Sequence, residues 1–400
     1  MKSYPLPTWA LWVRGLILAL LSVSLVAIFT KYTHAQVVKF AKTYGGTNLD
    51  RARYIQQTFD GGYIVAGITY SFGAGGEDFF LVKTDAYGNV QWAKTYGGTN
   101  SDFRLRVQQT SDGGYIVVGE TYSFGVGFTD IILIKTDANG NLQWAKTYGG
   151  GGFEGDTYVQ QTSDGGYIIT TGSTSFGVGG YDVLLIKTDA NGNLQWAKTY
   201  GGGGNEGAIY VQQTSDGGYI LLGGTTSFGA GSYDLLLIKT DANGNLQWAK
   251  TYGGGGFEWT SHAQQTSDGG YIVAAWTPSF GAGGYDAFII KTDANGNIIW
   301  AKTYGGTNDE EANHILQTSD GGYILAGYTQ SFGAGSWDIL LIKTDANGDI
   351  GSCGIVRNVT PTVTTPSVTV TTPSLTVLSV SPTVTSPSLT VTSPTLTVTA

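Results

Sequence analysis

The chain has 400 residues, a net charge of −9 and only 13% charged residues, about half the usual share for soluble proteins. This acidic balance argues against nucleic acid binding, which needs a basic face. A single cysteine, Cys353, excludes an intramolecular disulfide and a thiolate metal cluster, and three histidines argue against a His-rich metal site.

Residues 1–35 have the pattern of an export signal. Lys2 and Arg14 precede an apolar run over residues 15–29, and residues 33–35 form a small-x-small cleavage sequence. The run is short for a membrane span, which needs about 20 residues. We expect a cleaved signal peptide, with an uncleaved N-terminal anchor as the alternative. Both place the rest of the chain outside the cytoplasm, so an extracellular or cell-surface location is expected, with membrane contact only through an uncleaved N-terminal segment.

Residues 36–352 contain six copies of a 52-residue repeat, called the array below. A fixed internal period of this size indicates a solenoid, a propeller or another array. The string Ala-Lys-Thr-Tyr-Gly-Gly begins each copy, at Ala41, Ala93, Ala145, Ala197, Ala249 and Ala301.

Each repeat predicts four antiparallel strands. In the second copy they are expected over residues 104–110, 115–122, 130–137 and 141–148, and two of their connections are Gly-containing turns. The run Ile131–Ile134 is apolar on both faces, as expected for a propeller blade buried between two neighbours.

The two ends of the array predict a closed ring. The sixth copy stops after Ile350 without a fourth strand, while residues 38–44 match residues 90–96, the fourth strand of the first copy. The N-terminal strand is therefore expected to complete the last blade, because closure removes two exposed sheet edges. The predicted fold is an all-β, six-bladed β-propeller of four-stranded antiparallel blades.

The repeat also carries a family resemblance. Residues 137–144, Asp-Ala-Asn-Gly-Asn-Leu-Gln-Trp, resemble the blade motif of quinoprotein-like (PQQ-like) propellers. The strings Gln-Gln-Thr-Ser-Asp-Gly-Gly-Tyr-Ile and Lys-Thr-Asp-Ala-Asn-Gly-Asn resemble secreted prokaryotic β-propeller repeat proteins of largely unassigned function. The resemblance covers about residues 37–350 and implies that the first strand of each blade lies nearest the central channel. Cofactor-specific residues cannot be placed, so no cofactor is predicted.

Residues 353–400 form a Thr/Ser/Pro-rich low-complexity tail. Six of the nine prolines lie between Pro361 and Pro394, and no charged residue follows Arg357. The composition resembles an O-glycosylated stalk, and a plain disordered linker is the alternative. Alternating Val and Thr also permit β pairing, which leaves disorder undecided.

Two residue types recur at one position of every copy. A fourth-strand Trp, replaced by Phe40 in the N-terminal strand, is expected to pack between blades because aromatic side chains dominate buried area. These residues are Trp92, Trp144, Trp196, Trp248 and Trp300.

An acidic residue precedes the first strand of every copy, and together these residues form what we call the acidic ring. The ring could bind cations or hydroxyl-rich ligands, but capping of loop amides is favoured because a catalytic site needs unlike residues. The ring consists of Asp50, Asp102, Glu154, Glu206, Glu258 and Glu310.

Variation between copies concentrates on the rim with the longer loops, which predicts a ligand-binding face, with neutral drift as the alternative. The array's four arginines lie there and suit carboxylate or phosphate recognition, unless they pair with Asp50 and Asp102. Aromatic residues of the fifth and sixth copies suit sugar stacking. The candidate ligand-binding residues are Arg51, Arg53, Arg104, Arg106, Trp259, His262, Trp276, His314, Tyr328 and Trp337.

The sequence contains no recognisable catalytic constellation. The expected function is therefore a secreted or cell-surface, non-enzymatic binding or structural module that contacts glycan or protein through the variable loop face. No catalytic residue, metal site or nucleic acid partner is predicted. The alternative is a propeller glycan hydrolase or lyase that uses the acidic ring at the central mouth.

Overall fold

The computed structural model describes residues 40–333, 335–351, 354–371, 375–379, 383–385 and 390–392. These residues are all-β, and no helix among them is long and apolar enough to cross a membrane. The expected export signal at residues 1–35 and Cys353 lie outside the described residues.

The strands of the described part are, in chain order, β1 (Thr43–Gly45), β2 (Asp50–Gln57), β3 (Tyr63–Thr69), β4 (Asp78–Thr84), β5 (Val90–Gly97), β6 (Asp102–Gln109), β7 (Tyr115–Thr121), β8 (Asp130–Thr136), β9 (Leu142–Gly149), β10 (Glu154–Gln161), β11 (Tyr167–Ser173), β12 (Asp182–Thr188), β13 (Leu194–Gly201), β14 (Glu206–Gln213), β15 (Tyr219–Thr225), β16 (Asp234–Thr240), β17 (Leu246–Gly253), β18 (Trp259–Gln265), β19 (Tyr271–Thr277), β20 (Asp286–Thr292), β21 (Ile298–Tyr304), β22 (Glu310–Gln317), β23 (Tyr323–Thr329), β24 (Asp338–Thr344), β25 (Val356–Asn358), β26 (Thr362–Thr364), β27 (Thr369–Thr371), β28 (Thr376–Ser379), β29 (Thr383–Thr385) and β30 (Thr390–Thr392).

Consecutive strands form antiparallel blades, as the repeats predict. Blades 1 to 5 are β2–β5, β6–β9, β10–β13, β14–β17 and β18–β21, and blade 6 is β22–β24. The first hairpin of blade 2 turns at Gly113, whose φ of 83° is readily adopted only by glycine. Every residue of its third strand, β8, is buried, because that strand lies between two neighbouring blades. The prediction of an all-β fold of four-stranded antiparallel blades is confirmed, and the arrangement is β-propeller-like.

The recurrent tryptophans lie between successive blades. Trp92 meets Tyr115 of the next blade edge-on, with ring centres 5.6 Å apart, and its indole N–H donates to the carbonyl of Ala138. The hydroxyl of Tyr96 donates to the carbonyl of Gly140. The same ring pairs recur at Trp144–Tyr167, Trp196–Tyr219, Trp248–Tyr271 and Trp300–Tyr323.

The first strands of the blades meet at the centre of the array. One position of each first strand contributes a side chain to what we call the axial cluster. Ring centres are 4.7 Å apart between Tyr158 and Tyr210, 4.6 Å between Tyr210 and His262, and 3.8 Å between His262 and His314. The guanidinium of Arg106 lies 5.1 Å from the centre of the Tyr158 ring. The full cluster is Tyr54, Arg106, Tyr158, Tyr210, His262 and His314.

The expected clasp between the N-terminal strand and the last blade is not formed in this structure. The last sheet contains only β22, β23 and β24, and β1 pairs with β30 of the tail. On β24, Ile339 and Leu341 are 83% and 65% exposed, whereas their counterparts in blade 1, Phe79 and Leu81, are fully buried. Among the described residues β30 of the tail is the strand partner of β1, and no described strand pairs with the outer edge of β24.

The contacts of the N-terminal strand with blade 1 repeat those between blades. Phe40 packs on Tyr63 with ring centres 6.0 Å apart, and the hydroxyl of Tyr44 donates to the carbonyl of Gly88. Lys42 donates to the side chain of Asn89. The N-terminal strand therefore lies against blade 1 as each fourth strand lies against the following blade.

The tail adds an outer strand to one blade after another, in reverse chain order. β25 pairs with β21, β26 with β17, β27 with β13, β28 with β9, β29 with β5, and β30 with β1. From β26 to β30 these strands begin seven residues apart, at Thr362, Thr369, Thr376, Thr383 and Thr390. Of the structures left open for the tail, its described residues adopt β pairing.

Candidate functional site

The acidic ring lies inside the blades, at the base of the loops. Glu206 is fully buried, and it accepts hydrogen bonds from the Gly202 amide at 2.6 Å and the Thr225 hydroxyl at 2.7 Å. The other five acids make equivalent contacts with one loop amide and with nearby hydroxyl groups. Because all six carboxyl groups accept hydrogen bonds within the fold, the ring anchors the loops that frame a site.

A second buried acid faces five of the six ring acids, from Asp102 to Glu310, across the boundary between successive blades. Asp234 is a clear case, since its Oδ2 accepts the amides of Ala230 and Gly231 at 3.1 and 3.0 Å, and no hydrogen bond reaches its buried Oδ1 within the described residues. Burial, assisted by the charge of Glu258, raises the pKa of Asp234. Burial likewise raises the pKa of the equivalent Asp78 to about 6. Folding therefore shifts these carboxyl groups towards the protonated form relative to the unfolded chain.

This raised pKa predicts that stability falls as the pH rises towards neutrality. A carboxyl group whose pKa is higher in the folded chain stabilises fully below its unfolded value and loses that contribution as the pH rises through its folded value. Asp78 is a clear case, because its pKa rises from 3.8 to about 6 on folding. Lys83 and its equivalents act in the opposite direction, because they lower the pKa of Asp60 and its counterparts to about 2. We expect maximum stability at about pH 4 to 5.

The substitution Asp234→Asn tests this interpretation. An amide keeps an oxygen for the Ala230 and Gly231 amides and carries no charge, so the variant should be more stable than the wild type at pH 7 by about 1 kcal/mol. At pH 4.5 the difference should vanish or reverse. Urea unfolding at both pH values measures it, and equal shifts at the two values would contradict the assignment.

Small residues open a cavity between blades 2, 3 and 4. At one second-strand position, blades 3 and 4 carry Gly172 and Gly224, where blade 5 carries Trp276 and blade 6 carries Tyr328. The space at Gly224 is filled by the ring of Tyr233, whose Cε1 lies 2.0 Å from where a Cβ would stand, whereas Gly172 lines open space. The result is a cavity of about 500 Å³, called the carboxyl cavity, lined by Arg104, Glu120, Tyr122, Asp156, Tyr181 and Tyr233 among others.

Two carboxylates and one arginine form the polar part of the carboxyl cavity. Nη1 of Arg104 lies 3.1 Å from Oδ1 of Asp156 and 3.4 Å from Oε1 of Glu120. The backbone amide of Asp156 donates to the same Glu120 oxygen at 2.6 Å. The side chain of Glu120 is 4% exposed and that of Asp156 is 65% exposed. The cavity therefore joins a buried carboxyl group to a solvent-facing one.

The buried carboxyl group is able to hold a proton near neutral pH. Burial raises the pKa of Glu120 to about 6, although the Asp156 amide and the charge of Arg104 act in the opposite direction. Carboxyl groups whose environments differ in this way are typical of acid–base catalysis, in which one donates a proton while the other remains a carboxylate.

The backbone is strained at this site. Arg104 and Asp156 are the non-glycine residues with positive φ in the described part of the chain, at 53° and 61°. Each lies at an irregularity in the pairing of its first strand, in β6 and β10. Bulges of this kind re-aim side chains next to functional sites, and strained residues cluster there.

A second cavity, of about 510 Å³, adjoins the first. Arg53, Arg104 and Arg106 line it, together with Asp156 and Thr157. We call it the arginine cavity. Arg51, the remaining arginine predicted for this face, lines a separate cavity of about 270 Å³ beside Asp50. Three of the four array arginines are therefore brought together.

The predicted aromatic sector of blades 5 and 6 divides into three parts. Trp259 and Trp276 stack with ring centres 5.4 Å apart. The ring centre of Trp259 also lies 6.1 Å from that of Tyr233 in the carboxyl cavity. Tyr328 and Trp337 form their own edge-to-face pair at 6.3 Å. His262 and His314 belong to the axial cluster, where burial lowers the pKa of His262 to about 3.

Glu120 and Asp156 were not among the residues predicted for the site. A signal existed for Glu120, because the equivalent positions hold Ile68, Gly172, Gly224, Trp276 and Tyr328, and an acid stands out in that series. Asp156 gives no comparable signal, since its role depends on the bulge in β10. Within the described residues, no group of three or more His, Cys, Asp or Glu side chains is placed to hold a metal ion.

No family model matches the chain, and no curated protein matches it, so the quinoprotein-like resemblance is supported only as far as a β-propeller-like fold. Solved structures with detectable similarity include the following three. A protein of unknown function from Dyadobacter fermentans has 11% identity and a TM-score of 0.42, covering 75% of this chain and 97% of that one. An α-L-arabinanase from Penicillium chrysogenum, complexed with arabinobiose, has 11% identity and a TM-score of 0.42, and the match covers 76% of this chain and 97% of the arabinanase. An α-L-arabinofuranosidase from Fusarium graminearum has 11% identity and a TM-score of 0.43, also covering 76% and 97%.

The expectation of a non-enzymatic binding or structural module is corrected by these comparisons. Two of the similar structures are glycoside hydrolases, which agrees with the alternative of a glycan-active propeller and not with the main prediction. At this level of similarity the comparisons assign no catalytic residue. The choice of residues rests on the geometry of this chain, which places the unlike carboxyl groups in the carboxyl cavity and not in the acidic ring.

Proposed function

We propose that the chain is a glycan hydrolase whose catalytic groups are Glu120 and Asp156. The observation that carries this proposal is the buried, protonatable carboxyl group of Glu120, which shares Arg104 with the exposed carboxylate of Asp156 in one cavity. Two carboxyl groups with unequal environments are what glycoside hydrolysis requires.

In this reaction Glu120 donates its proton to the glycosidic oxygen. The bond from that oxygen to the anomeric carbon breaks, and Asp156 stabilises the positive charge that develops on the sugar. A water oxygen then bonds to the anomeric carbon, and the proton released from this water returns a carboxylate to its acid form. If Asp156 activates the water, the product anomer is inverted, and if it attacks the carbon first, the anomer is retained. Proton NMR of the first product distinguishes the two routes.

Aromatic side chains around the cavity suit the binding of sugar rings. Tyr122, Tyr181 and Tyr233 line it, and the stacked pair Trp259 and Trp276 extends the same surface into blade 5. Aromatic faces with a few polar groups match the apolar faces of sugars. Export through residues 1–35, which remains a proposal, would place the enzyme where polymeric glycans occur.

The proposal is tested by incubating the purified protein with a panel of plant, bacterial and algal polysaccharides and measuring new reducing ends. We expect hydrolysis of at least one, with a rate that declines as the pH rises above about 6, because Glu120 must be protonated to act as an acid. No product from any polysaccharide, or a rate that increases through pH 8, would overturn it.

We also propose that the two ends of the array join within one chain. The exposed apolar residues of β24 and the blade-like packing of residues 40–45 on blade 1 support this, because each end offers one half of the interface repeated between successive blades. In blade 2, Leu133 pairs with Lys146, and the equivalent residues at the two ends are Leu341 and Lys42.

A cysteine pair tests the joining of the ends. In a Cys353→Ser background, we expect Leu341→Cys with Lys42→Cys to form an intrachain disulfide on mild oxidation, because paired strands bring Cα atoms within bridging distance. Leu341→Cys with Lys250→Cys, the same position in blade 4, is the matched control and should stay reduced. Covalent dimers in place of a cross-linked monomer on non-reducing gels would contradict joining within one chain.

A further inference from the structure

The arginine cavity concentrates positive charge in an acidic protein. The chain carries a net charge of −9, yet Arg53, Arg104 and Arg106 line this one cavity, and Asp156 is the single acid among its lining residues. Because Asp156 pairs with Arg104, two guanidinium charges are left without a compensating carboxylate.

Those two arginines are available to a ligand. Within the described residues neither Arg53 nor Arg106 forms a salt bridge, and the contact of Arg106 is with the face of Tyr158 at 5.1 Å. The side chain of Arg53 is exposed, and Arg106 is a half-buried member of the axial cluster. Guanidinium groups are planar and bind carboxylates through two parallel hydrogen bonds, which suits them to recognition of a carboxylated ligand.

The arginine cavity shares a wall with the proposed catalytic cavity. Arg104 and Asp156 line both, so a group bound between Arg53 and Arg106 lies next to the sugar whose bond is cleaved. The other polar lining residue, Thr157, adds a hydroxyl group.

We propose that the arginine cavity binds the carboxylate of a uronic acid residue, so that the hydrolase acts on an acidic glycan. This inference rests on the proposed function for the catalytic step, but it concerns binding and has its own readout. The aromatic side chains of the carboxyl cavity hold the sugar rings, and Arg53 and Arg106 select chains that carry a carboxylate at the adjoining residue.

The test measures binding by titration calorimetry with the full-length Glu120→Gln variant, which cannot act as the acid and so leaves the ligand intact. The probes are oligogalacturonate and oligoguluronate hexasaccharides, with xylohexaose and arabinohexaose as neutral sugars and a sulfated galactan oligosaccharide as a different anion. We expect at least one uronate probe to bind, the neutral sugars to bind at least tenfold more weakly, and added Arg53→Gln to weaken uronate binding by about tenfold. Arg51→Gln, in the separate cavity, is the matched control and should leave binding unchanged.

The outcomes separate this inference from the proposed function. Uronate binding that depends on Arg53, without hydrolysis by the wild type, supports the inference while the proposed catalytic function fails. Hydrolysis of neutral glycans that is unaffected by Arg53→Gln overturns the inference while the catalytic function stands. Preference for the sulfated probe also overturns it. Arg106→Gln is a second variant, and its melting temperature is measured first because Arg106 belongs to the axial cluster, where it packs on Tyr158.

Discussion

Replacing Glu120 by glutamine lowers kcat for glycan hydrolysis by about a thousandfold, the range expected when a general acid is removed. The change keeps the shape of the side chain and an oxygen that can accept the Asp156 amide, but it removes the proton donor. The pH dependence of the remaining rate should also lose its decline above about pH 6. Initial rates from pH 4 to 8, with the best substrate of the panel, measure both effects.

Two further variants make this prediction specific. Asp156→Asn should lower kcat by a similar factor, because the sugar cation then has no carboxylate beside it. Glu311→Gln is the matched control, since Glu311 is a carboxylate on the first strand of blade 6, at the position that Phe103 occupies in blade 2. If Glu311→Gln lost as much activity as Glu120→Gln, or if Glu120→Gln kept half of the wild-type rate, the carboxyl cavity would not be the catalytic centre.

Truncation after Gly351 lowers the melting temperature by about 10 °C. The tail forms outer strands on five blades, and the loss of each is expected to cost about 1 kcal/mol, which corresponds to roughly 2 °C for a chain of this size. Apolar tail residues Val359, Val368 and Leu375 also pack against the buried cores of the blades. Removing them exposes the edges of β5, β9, β13, β17 and β21, so the truncated protein should also aggregate more readily.

A shorter truncation tests whether each tail strand adds its own contribution to the melting temperature. Truncation after Ser379 keeps β25 to β28 and removes the strands on blade 1 and on β1, so it should lower the melting temperature by less than half as much. Repeat proteins lose stability approximately in proportion to the neighbouring contacts removed. Calorimetry and light scattering are measured on both truncated proteins. A full truncation that melts at the wild-type temperature would show that these strands contribute nothing.

The blade itself could be predicted closely from the sequence. The third strand of the second copy was expected at residues 130–137 and lies at Asp130–Thr136, because glycine turns and runs apolar on both faces act locally and recur six times. Whether the N-terminal strand reaches β24 could not be predicted, because residues 38–44 fit any fourth-strand position and ring closure depends on the curvature of the whole array.

The tail and the site were harder to predict for different reasons. Three-residue strands between prolines carry too little pattern to name a partner, and their pairing depends on Thr and Gly residues at distant strand ends such as Thr251 and Gly253. The carboxyl cavity depends on what is missing from blade 3, where Gly172 leaves space that Glu120 of blade 2 then borders. In blade 4, Gly224 admits the ring of Tyr233, which forms part of the cavity wall. Individual repeats show variation at these positions, but the shared volume exists only after the blades pack.

The spacing of the tail strands constrains how this protein can grow. The array repeats every 52 residues and the tail strands repeat every seven residues, from β26 to β30. Successive tail strands pair with successive blades in reverse chain order. A gene duplication that inserts one more blade therefore leaves the outer strands one unit short unless a heptapeptide is duplicated as well. The number of blades and the number of tail strands are therefore coupled. Related proteins with more blades are expected to have the same number of additional heptapeptides in the tail.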